Sequence, residues 1–460
     1  YFCTLSANIF LISSFILLIV FDPAEFPESL LFSLPLLAVS LFFFTIRKSQ
    51  KNNSEKERKT TINIALPYFC FLCFIIIQIV PLPFATSRLM GQIRHSQNVI
   101  ADDFLSSAAQ YSPDFDAGKH IYISRNFSGT FRVALLFLAG FITFITGRQC
   151  GQNSQKIFVI FLIIAAGILS FAGIANQYIL PQKQTLWWFI NIKQNFKQPL
   201  AGFLNKNHYA SFLNLLSIIP LSFALSQRKK NFLLRLLSIL FALFIYTGVL
   251  SSLSRGGVIT MFLVLWVTVL YTSFKGQIQK YFIAFTITTV FITIIIATPH
   301  LRQRILTTFQ LNNNYSMYTK LNAWKSAIAI WKAYPLLGCG PGALRTVYPE
   351  YKNVLSTAKL THVENEYLQF LAEYGVMGVI LFGWLLSSFI KVVRQNYNSS
   401  DKRVTPLSLI IPLFVTAVFN SIFDFPLHSP VYSLTLAWFA GTMLPANITL
   451  CKKQTTIFVP

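Results

Sequence analysis

Charged residues are scarce in this chain, and acidic residues are the scarcest. Only 12% of its 460 residues are Asp, Glu, Lys or Arg, and 38 Lys and Arg stand against 15 Asp and Glu. A soluble protein of this length needs more polar surface, whereas the 54% of hydrophobic residues suits a lipid-facing exterior. The composition excludes a soluble globular protein and predicts an all-α polytopic membrane protein.

Cysteine and clustered metal ligands are also scarce. The six Cys residues are scattered, and Cys70 and Cys73, although spaced as CxxC, lie inside an apolar run without further Cys or His partners. We interpret them as packing residues. His95, His120 and His300 are isolated in the sequence. We therefore expect no disulfide framework, no metal site, no cofactor and no nucleic-acid partner.

Apolar runs that are long enough to span a bilayer, at about 20 residues each, recur along the whole chain. They are 3–21, 28–46, 62–84, 130–147, 157–177, 209–226, 232–251, 257–274, 281–298, 375–393, 405–423 and 430–446. The sequence thus predicts about twelve transmembrane helices in one membrane domain. Residues 1–298 would hold nine of them with two outer loops, 299–374 a long loop with short helices, and 375–460 the last three.

The positions of Lys and Arg predict the orientation in the membrane. Twenty of the 38 Lys and Arg lie in short loops and tails that share one side if there are twelve spans. That side is predicted to be cytoplasmic, together with both termini. The long loops 85–129, 178–208 and 299–374 then face outward, where their Lys and Arg suit a phosphate-bearing substrate or simply anionic headgroups.

The stretch 361–378 joins a titratable segment to an apolar span. Thr361 followed by Glu364 has the spacing of a capping box, which predicts a helix beginning at His362. At the first helical position the helix dipole would keep His362 neutral, and a neutral imidazole can accept a proton from a hydroxyl. His362 is therefore the best catalytic candidate, the alternative being a structural histidine. The polar face of this helix would hold His362, Asn365, Glu366, Gln369 and Glu373.

A second helix is predicted in the longest outer loop, at Tyr318–Tyr334. Its apolar residues recur at helical spacing, with Lys residues between them. The pattern is typical of a helix lying on the membrane surface, either as a lid or floor of a site or as a plain anchor. The predicted apolar face consists of Leu321, Trp324, Ile328 and Trp331.

Two polar stretches lie at the predicted outer ends of spans. Arg255, in Leu250–Gly257, has a guanidinium fork that suits a phosphate, the alternative being an interfacial anchor. The run Asn205–His208 brings together two amides, a cation and an imidazole. These groups can bind sugar hydroxyls or phosphate oxygens, or the Asn residues can cap a helix.

Two more stretches are candidates for smaller roles. Gly338–Gly342 has the glycine content of an anion-binding nest, although a tight turn is the simpler interpretation. Asp424 precedes His428 by four residues at the predicted outer end of a span. The carboxylate would orient an imidazole or Arg255 there, unless the segment is a plain turn.

Taken in order, these motifs resemble those of the O-antigen ligase/polymerase superfamily. This superfamily includes lipopolysaccharide O-antigen ligases, O-antigen polymerases and bacterial protein O-oligosaccharyltransferases. The resemblance covers residues from about 130 to the C-terminus. The motifs are Gly202–His208, Ser254–Gly257, Gly338–Gly342, His362–Gln369 with Glu373–Gly375, and Asp424–His428.

The resemblance implies transfer of a glycan from an undecaprenyl diphosphate carrier, with inversion and without a metal or a nucleotide sugar. The reaction would take place at the periplasmic face of a bacterial inner membrane. By motif match His362 is the base and Arg255 holds the diphosphate, to which we add Lys206 and Arg345. Glu364 stands where members of the family often have a second His. The residues expected to bind or orient the glycan or the acceptor are Asn205, Asn207, His208, Asn365, Asp424 and His428.

The expected partners are the lipid-linked donor, membrane lipids and an acceptor. The acceptor is lipid A-core, the growing glycan, or a Ser or Thr of a pilin-like protein, and the motifs do not choose among them. We favour a ligase or polymerase because these are the broader part of the family. A lipid-linked glycan flippase also suits twelve spans, but transporters usually place ionisable groups at mid-membrane, whereas here the polar motifs gather at one face.

Overall fold

The computed structural model describes residues 2–20, 28–49, 55–80, 82–83, 120–179, 185–187, 190–191, 200–225, 232–271, 315–352, 362–397 and 407–444. Helices dominate these residues. In chain order they are α1 (Phe2–Val20), α2 (Glu28–Ser49), α3 (Glu55–Ile77), α4 (Phe127–Gln149), α5 (Gln152–Tyr178), α6 (Lys206–Leu225), α7 (Phe232–Ser251), α8 (Arg255–Tyr271), α9 (Tyr315–Ala333), α10 (Leu344–Val347), α11 (Glu366–Tyr397), α12 (Leu407–Phe423) and α13 (Pro430–Thr442).

Short elements complete the described secondary structure. There are two 3-10 turns, at Tyr348–Tyr351 and Pro426–His428. Two antiparallel pairs consist of two-residue strands, β1 (Leu82–Pro83) with β2 (His120–Ile121) and β3 (Thr185–Leu186) with β4 (Ile190–Asn191).

Helices occupy eleven of the twelve predicted spans, and the ninth, 281–298, falls outside the described residues. Within the described part of the chain, four helices are long and apolar enough to cross a membrane. The chain is therefore a helical membrane protein, as its composition predicts. The total of about twelve spans, the boundary at residue 298 and the orientation stay predictions. The four long helices are Phe127–Gln149, Gln152–Tyr178, Phe232–Ser251 and Glu366–Gln395.

The largest hydrophobic core is built around α6. Tyr209, Phe212 and Leu213 are fully buried, and α6 packs against α5, α7, α8 and α12. A helix that is apolar on all sides belongs in the interior of a bundle. The Tyr209 hydroxyl donates to the carbonyl oxygen of Leu169 on α5 at 3.0 Å. These contacts hold the first turn of α6, which carries His208.

Residues 315–352 pack against the start of α11 and are called the outer cap here. The prediction of a helix in this loop is confirmed by α9. Small side chains of α9 let it approach α11 closely. The core between the cap and the first turns of α11 contains Ala323, Ala327, Ile330, Cys339, Ala343, Leu344, Val347, Tyr348, Val363 and Ala372.

α9 buries small residues against α11, and the contact of its predicted apolar face with a membrane stays a prediction. Ile328 is 39% exposed, whereas Ala323 and Ala327 are buried. The helix buries the stripe of small residues against α11 because close packing of two helices favours small side chains over bulky ones. Trp324 packs only at the edge of this core.

α11 is interrupted at Gly375, which has φ 61° and ψ −168°. The N–H groups of Val376 and Met377 donate to the carbonyl oxygens of Pro335 and Leu336, at 2.9 and 3.0 Å. These N–H groups bond to the segment after α9, whereas in a continuous helix they would bond to carbonyl oxygens of the same helix.

The loop Gly338–Gly342 bonds to the other side of the same interruption. The N–H groups of Cys339 and Gly340 donate to the carbonyl oxygens of Ala372 and Glu373, at 3.0 and 3.1 Å. Gly338 has φ +74°, and a Cβ there would lie 2.2 Å from the Glu373 carbonyl oxygen. The glycines of this loop therefore allow the outer cap to pack closely on α11. Two N–H groups of the predicted anion-binding nest donate to carbonyl oxygens of α11, so they are not available to an anion.

Gly375→Ala should destabilise the protein strongly. Its backbone conformation is one that essentially only glycine adopts, which costs a residue with a Cβ about 1–3 kcal/mol, and the added Cβ would lie 2.4 Å from the Leu336 carbonyl oxygen. Thermal unfolding in detergent measures the effect. Gly383→Ala on the same helix is the matched control, since nothing lies within 4 Å of its Cβ position. A Gly375 variant as stable as the control would contradict this account.

Candidate active site

The first turn of α11 begins later than the sequence predicted. The helix starts at Glu366, and the Asn365 side-chain oxygen accepts a hydrogen bond from the N–H of Leu368 at 3.0 Å. Asn365 is thus the N-cap, a position that Asn favours strongly. The prediction that His362 is the first helical residue is wrong, since it lies before the cap. Thr361, the predicted cap, falls outside the described residues.

Glu364 does not complete a capping box either. It has φ 53°, outside the helical region, and its Oε2 lies 2.6 Å from Nζ of Lys320 on α9. The Lys320 ammonium also donates to the carbonyl oxygen of Phe423, at 3.3 Å. An ion pair with the outer cap has replaced the local contact that the capping-box spacing predicts.

Three imidazoles meet around the ring of Phe425. His362 stacks on this ring at 4.0 Å between centroids and 17° between planes, and His208 approaches its edge at 4.5 Å. The His362 and His428 rings lie 4.9 Å apart at 62°. The structure therefore brings together three predicted site residues from α6, from the segment before α11 and from the turn after α12.

The polar face of α11 bonds to two of these rings. Gln369 Nε2 lies 3.0 Å from Nδ1 of His362 and 3.2 Å from Nε2 of His428. Nδ1 of His428 lies 3.1 Å from Oε1 of Glu366. Gln369 Nε2 also donates to Oε1 of Glu373 at 3.3 Å. Within this predicted polar face, Glu366, Gln369 and Glu373 are buried.

The two neighbouring imidazoles differ in charge. Burial, together with the charges of His428 and His208, lowers the pKa of His362 well below 6.5. Burial would also lower the pKa of His428, but the charge and hydrogen bond of Glu366 raise it to about 9. At neutral pH His362 is neutral and His428 is a cation. The neutrality expected for His362 is present, although a buried environment and not a helix terminus is its cause.

Asp424 and His208 form a buried pair beside this cluster. Nε2 of His208 lies 3.9 Å from Oδ1 of Asp424, which is too far for a direct hydrogen bond. Within the described structure, both ring nitrogens and both carboxyl oxygens are buried without a hydrogen-bond partner. Burial raises the pKa of Asp424 well above its usual range. This pair thus offers polar atoms that a ligand hydroxyl or a water molecule can satisfy.

The Asn205–His208 segment is tied to the start of α8. The Asn205 side-chain oxygen accepts from the N–H of Asn207 at 2.9 Å, which matches the capping alternative. The Asn207 oxygen accepts from the Ser254 hydroxyl at 2.8 Å. The turn that carries Arg255 is thereby fixed next to the turn that carries Lys206.

The three predicted diphosphate ligands lie on separate elements, at the starts of α6 and α8 and on α10. Arg255 begins α8, where Gly256 packs against Phe423. Arg345 is exposed on α10, and its charge contributes to the low pKa of His362. Lys206 begins α6.

Several contact residues of the cluster were missed as site residues. Glu366, Gln369 and Glu373 carried a signal, namely their recurrence on the same helix face as Asn365. Lys320 and Phe425 carried none, because a single Lys or Phe in such a chain has no distinctive pattern. In the part of the chain that the structure describes, no group of three His, Cys, Asp or Glu is arranged to hold a metal ion.

Comparison with known families gives one match. Residues 239–383 match the family model described as O-antigen ligase. The matched segment includes Arg255, Arg345 and His362, and ends before Asp424 and His428. No match was found among curated proteins. The resemblance to the O-antigen ligase/polymerase superfamily is confirmed by this match.

Glu366→Gln should weaken the pH dependence of stability. Because the pKa of His428 is raised from 6.5 to about 9, its stabilising contribution is complete below pH 6.5 and is lost as pH rises through about 9. The wild type should lose on the order of 3 kcal/mol across this window. The variant should lose much less, because the amide does not attract the imidazolium. Melting temperatures from pH 6 to 10 test this.

The matched control for that experiment is Glu350→Gln. Glu350 pairs with Arg125 at 3.1 Å on the surface of the outer cap. Its loss should leave the pH profile of the melting temperature unchanged. Parallel profiles for wild type and Glu366→Gln would show that Glu366 does not hold the proton on His428.

Proposed function

We propose, from the match of residues 239–383 to the O-antigen ligase family, that this O-antigen ligase/polymerase-type membrane enzyme transfers a glycan from undecaprenyl diphosphate to an acceptor hydroxyl. We place it in a bacterial inner membrane, with both termini cytoplasmic and the site at the periplasmic face. The observation that carries the proposal is the neutral His362 held among other imidazoles, with the charge of Arg345 acting on its ring.

His362 is the catalytic base in this proposal. Its ring accepts the proton of the acceptor hydroxyl, and the hydroxyl oxygen forms a bond to the anomeric carbon of the glycan. The bond from that carbon to the diphosphate oxygen breaks, and the diphosphate leaves with the electron pair. Attack opposite the leaving group inverts the anomeric configuration. Nδ1 of His362 contacts Gln369, so Nε2 is the nitrogen available to the substrate.

The leaving group is stabilised by cations in this proposal. Arg255, Lys206 and Arg345 would bind the diphosphate, whereas the Lys320 ammonium is paired with Glu364. Neutralised diphosphate is a good leaving group, so these side chains can do the work that a divalent ion does elsewhere. We accordingly propose a reaction without a metal ion or another cofactor.

The acceptor and glycan would be oriented by the polar atoms that the fold leaves unsatisfied. His208 and Asp424 have such atoms, whereas both ends of the Asn365 amide are used, by Leu368 and by the Ile422 carbonyl oxygen at 3.1 Å. We therefore assign substrate contacts to His208 and Asp424 and a supporting role to Asn365. Asn205 and Asn207 likewise hold the turns that carry Lys206 and Arg255. His428 belongs to the same cluster, where it contacts Gln369 and Glu366.

A reconstituted assay tests the function. Purified protein in EDTA is given an undecaprenyl-diphosphate oligosaccharide with lipid A-core, a glycan acceptor or a pilin-type protein. We expect transfer to one acceptor, and loss of about 100-fold or more in His362→Ala that melts within a few degrees of wild type. The proposal fails if no acceptor is modified, or if activity depends on added Mg²⁺ or Mn²⁺. Movement of the carrier lipid across proteoliposome membranes without glycan transfer would favour the flippase instead. Modification of a Ser or Thr of the pilin-type protein would favour the protein O-oligosaccharyltransferase.

Arg255→Lys tests the diphosphate site separately. A lysine keeps the charge but loses the two-point grip of the guanidinium, so we expect kcat/KM for the donor to fall roughly 10- to 100-fold. Arg235→Lys is the matched control, since Arg235 is an exposed residue of α7. Equal donor kinetics in the two variants would remove Arg255 from the diphosphate site.

A further inference from the structure

The amide of Gln369 is oriented by a group that can only donate. The N–H of Val363 lies 3.2 Å from Oε1 of Gln369. A backbone N–H has no lone pair, so the oxygen of the amide belongs on this side. The amino group of Gln369 therefore faces the two imidazoles.

This orientation determines the protons on both rings. The amino group lies 3.0 Å from Nδ1 of His362, 3.2 Å from Nε2 of His428 and 3.3 Å from Oε1 of Glu373. Its two hydrogens are shared among these three neighbours. Because the amino group cannot accept a hydrogen bond, each of the two ring nitrogens must present a lone pair. His428 keeps its single proton on Nδ1, opposite Glu366. His362 keeps its proton on Nε2, and a protonated Nε2 cannot accept another proton from a substrate.

A second arrangement makes His362 a base. If His428 also carries a proton on Nε2, two N–H groups would face each other across 3.2 Å. Reversal of the Gln369 amide removes this conflict, because its oxygen has two lone pairs and can accept from both rings. His362 then carries its proton on Nδ1, and its Nε2 is free. The reversal leaves the Val363 N–H without its acceptor and turns the amide oxygen toward Oε1 of Glu373, so it requires the second proton on His428 to favour it.

We propose that Gln369 is a positioning residue that couples His428 to His362, so that His362 presents a free Nε2 to the acceptor only while His428 carries two protons. This inference rests on the proposed function for its role in catalysis. Its structural part, in which the protonation of His428 sets the tautomer of His362, does not depend on the proposed function.

The charges around His428 favour the second proton. The groups that face His428 from α11 and from the turn of His428 itself are carboxylates, and the groups on its remaining sides are imidazoles. Their combined effect raises the pKa of His428 to about 9, so the base form of His362 should be lost as pH rises through about 9. Val363 opposes this form, and Glu366 supports it. The groups that face His428 are Glu366, Glu373, Asp424, His208 and His362.

Nitrogen NMR of the full chain in lipid tests the coupling without any substrate. The protein is labelled with ¹⁵N-histidine, and the signals of the two rings are identified by their loss in His362→Ala and His428→Ala. We expect the proton of His362 to move from Nδ1 to Nε2 as His428 loses its second proton near pH 9. In Gln369→Met, which has no hydrogen-bonding group, the His362 tautomer should not follow His428. A tautomer that follows His428 in Gln369→Met, or does not follow it in wild type, overturns the proposal.

Kinetics give the catalytic consequence. Gln369→Met should lower kcat roughly 10- to 100-fold with the donor KM within about 3-fold, and should lose the fall in kcat above pH 9. Gln155→Met, at a glutamine whose side chain donates to the Cys150 carbonyl oxygen, is the matched control.

The two proposals fail in different ways. Wild-type kinetics in Gln369→Met would overturn the coupling in catalysis. A wild type that transfers no glycan overturns the proposed function, while the NMR titration still decides whether the two rings are coupled.

Discussion

The interruption of α11 at Gly375 is the constraint on which the site depends. Four backbone hydrogen bonds cross it, two from Val376 and Met377 and two from the Gly338–Gly342 loop. They fasten the outer cap to the end of a membrane-length helix. The same contact lets Oε1 of Glu373 accept from the N–H of Leu344 at 3.2 Å, which fixes the carboxylate near Gln369. The rotation of the first turns of α11, and with it the polar face, follows from this junction.

The acidic residues show where the chain concentrates its charge. Of 15 Asp and Glu in the sequence, four lie at this one cluster, and each contacts or faces a cation or an imidazole there. Buried carboxylates are costly unless they are paired or hydrogen-bonded. A chain with so few of them gains little stability by burying three of these four together. Their position is explained if they set the protonation of the histidines. The four are Glu364, Glu366, Glu373 and Asp424.

Sequence patterns located the components of the site but not their contacts. His362, His208 and the Asp424–His428 turn stood out because polar residues are conspicuous at the ends of apolar runs. The helix start was misplaced because a capping box is a local rule, and the ion pair of Glu364 with Lys320 joins residues far apart in sequence. The sequence did not reveal the partners of the Gly338–Gly342 loop either, because the N–H of Gly340 donates to the carbonyl oxygen of Glu373, which is far away in sequence. Contacts of this kind depend on tertiary packing, which local spacing does not encode.

The opposite charges of two adjacent imidazoles give the proposed reaction its direction. A base that takes the proton of the acceptor becomes an imidazolium, and His362 would do so with the His428 ring 4.9 Å away. Two cations at that distance in a buried site repel each other, so His362 does not retain the proton. The charge that weakens His362 as a base therefore also returns it to the neutral form. A pair of groups whose surroundings drive their pKa values apart has separate roles, one to exchange protons with the substrate and one to hold a charge.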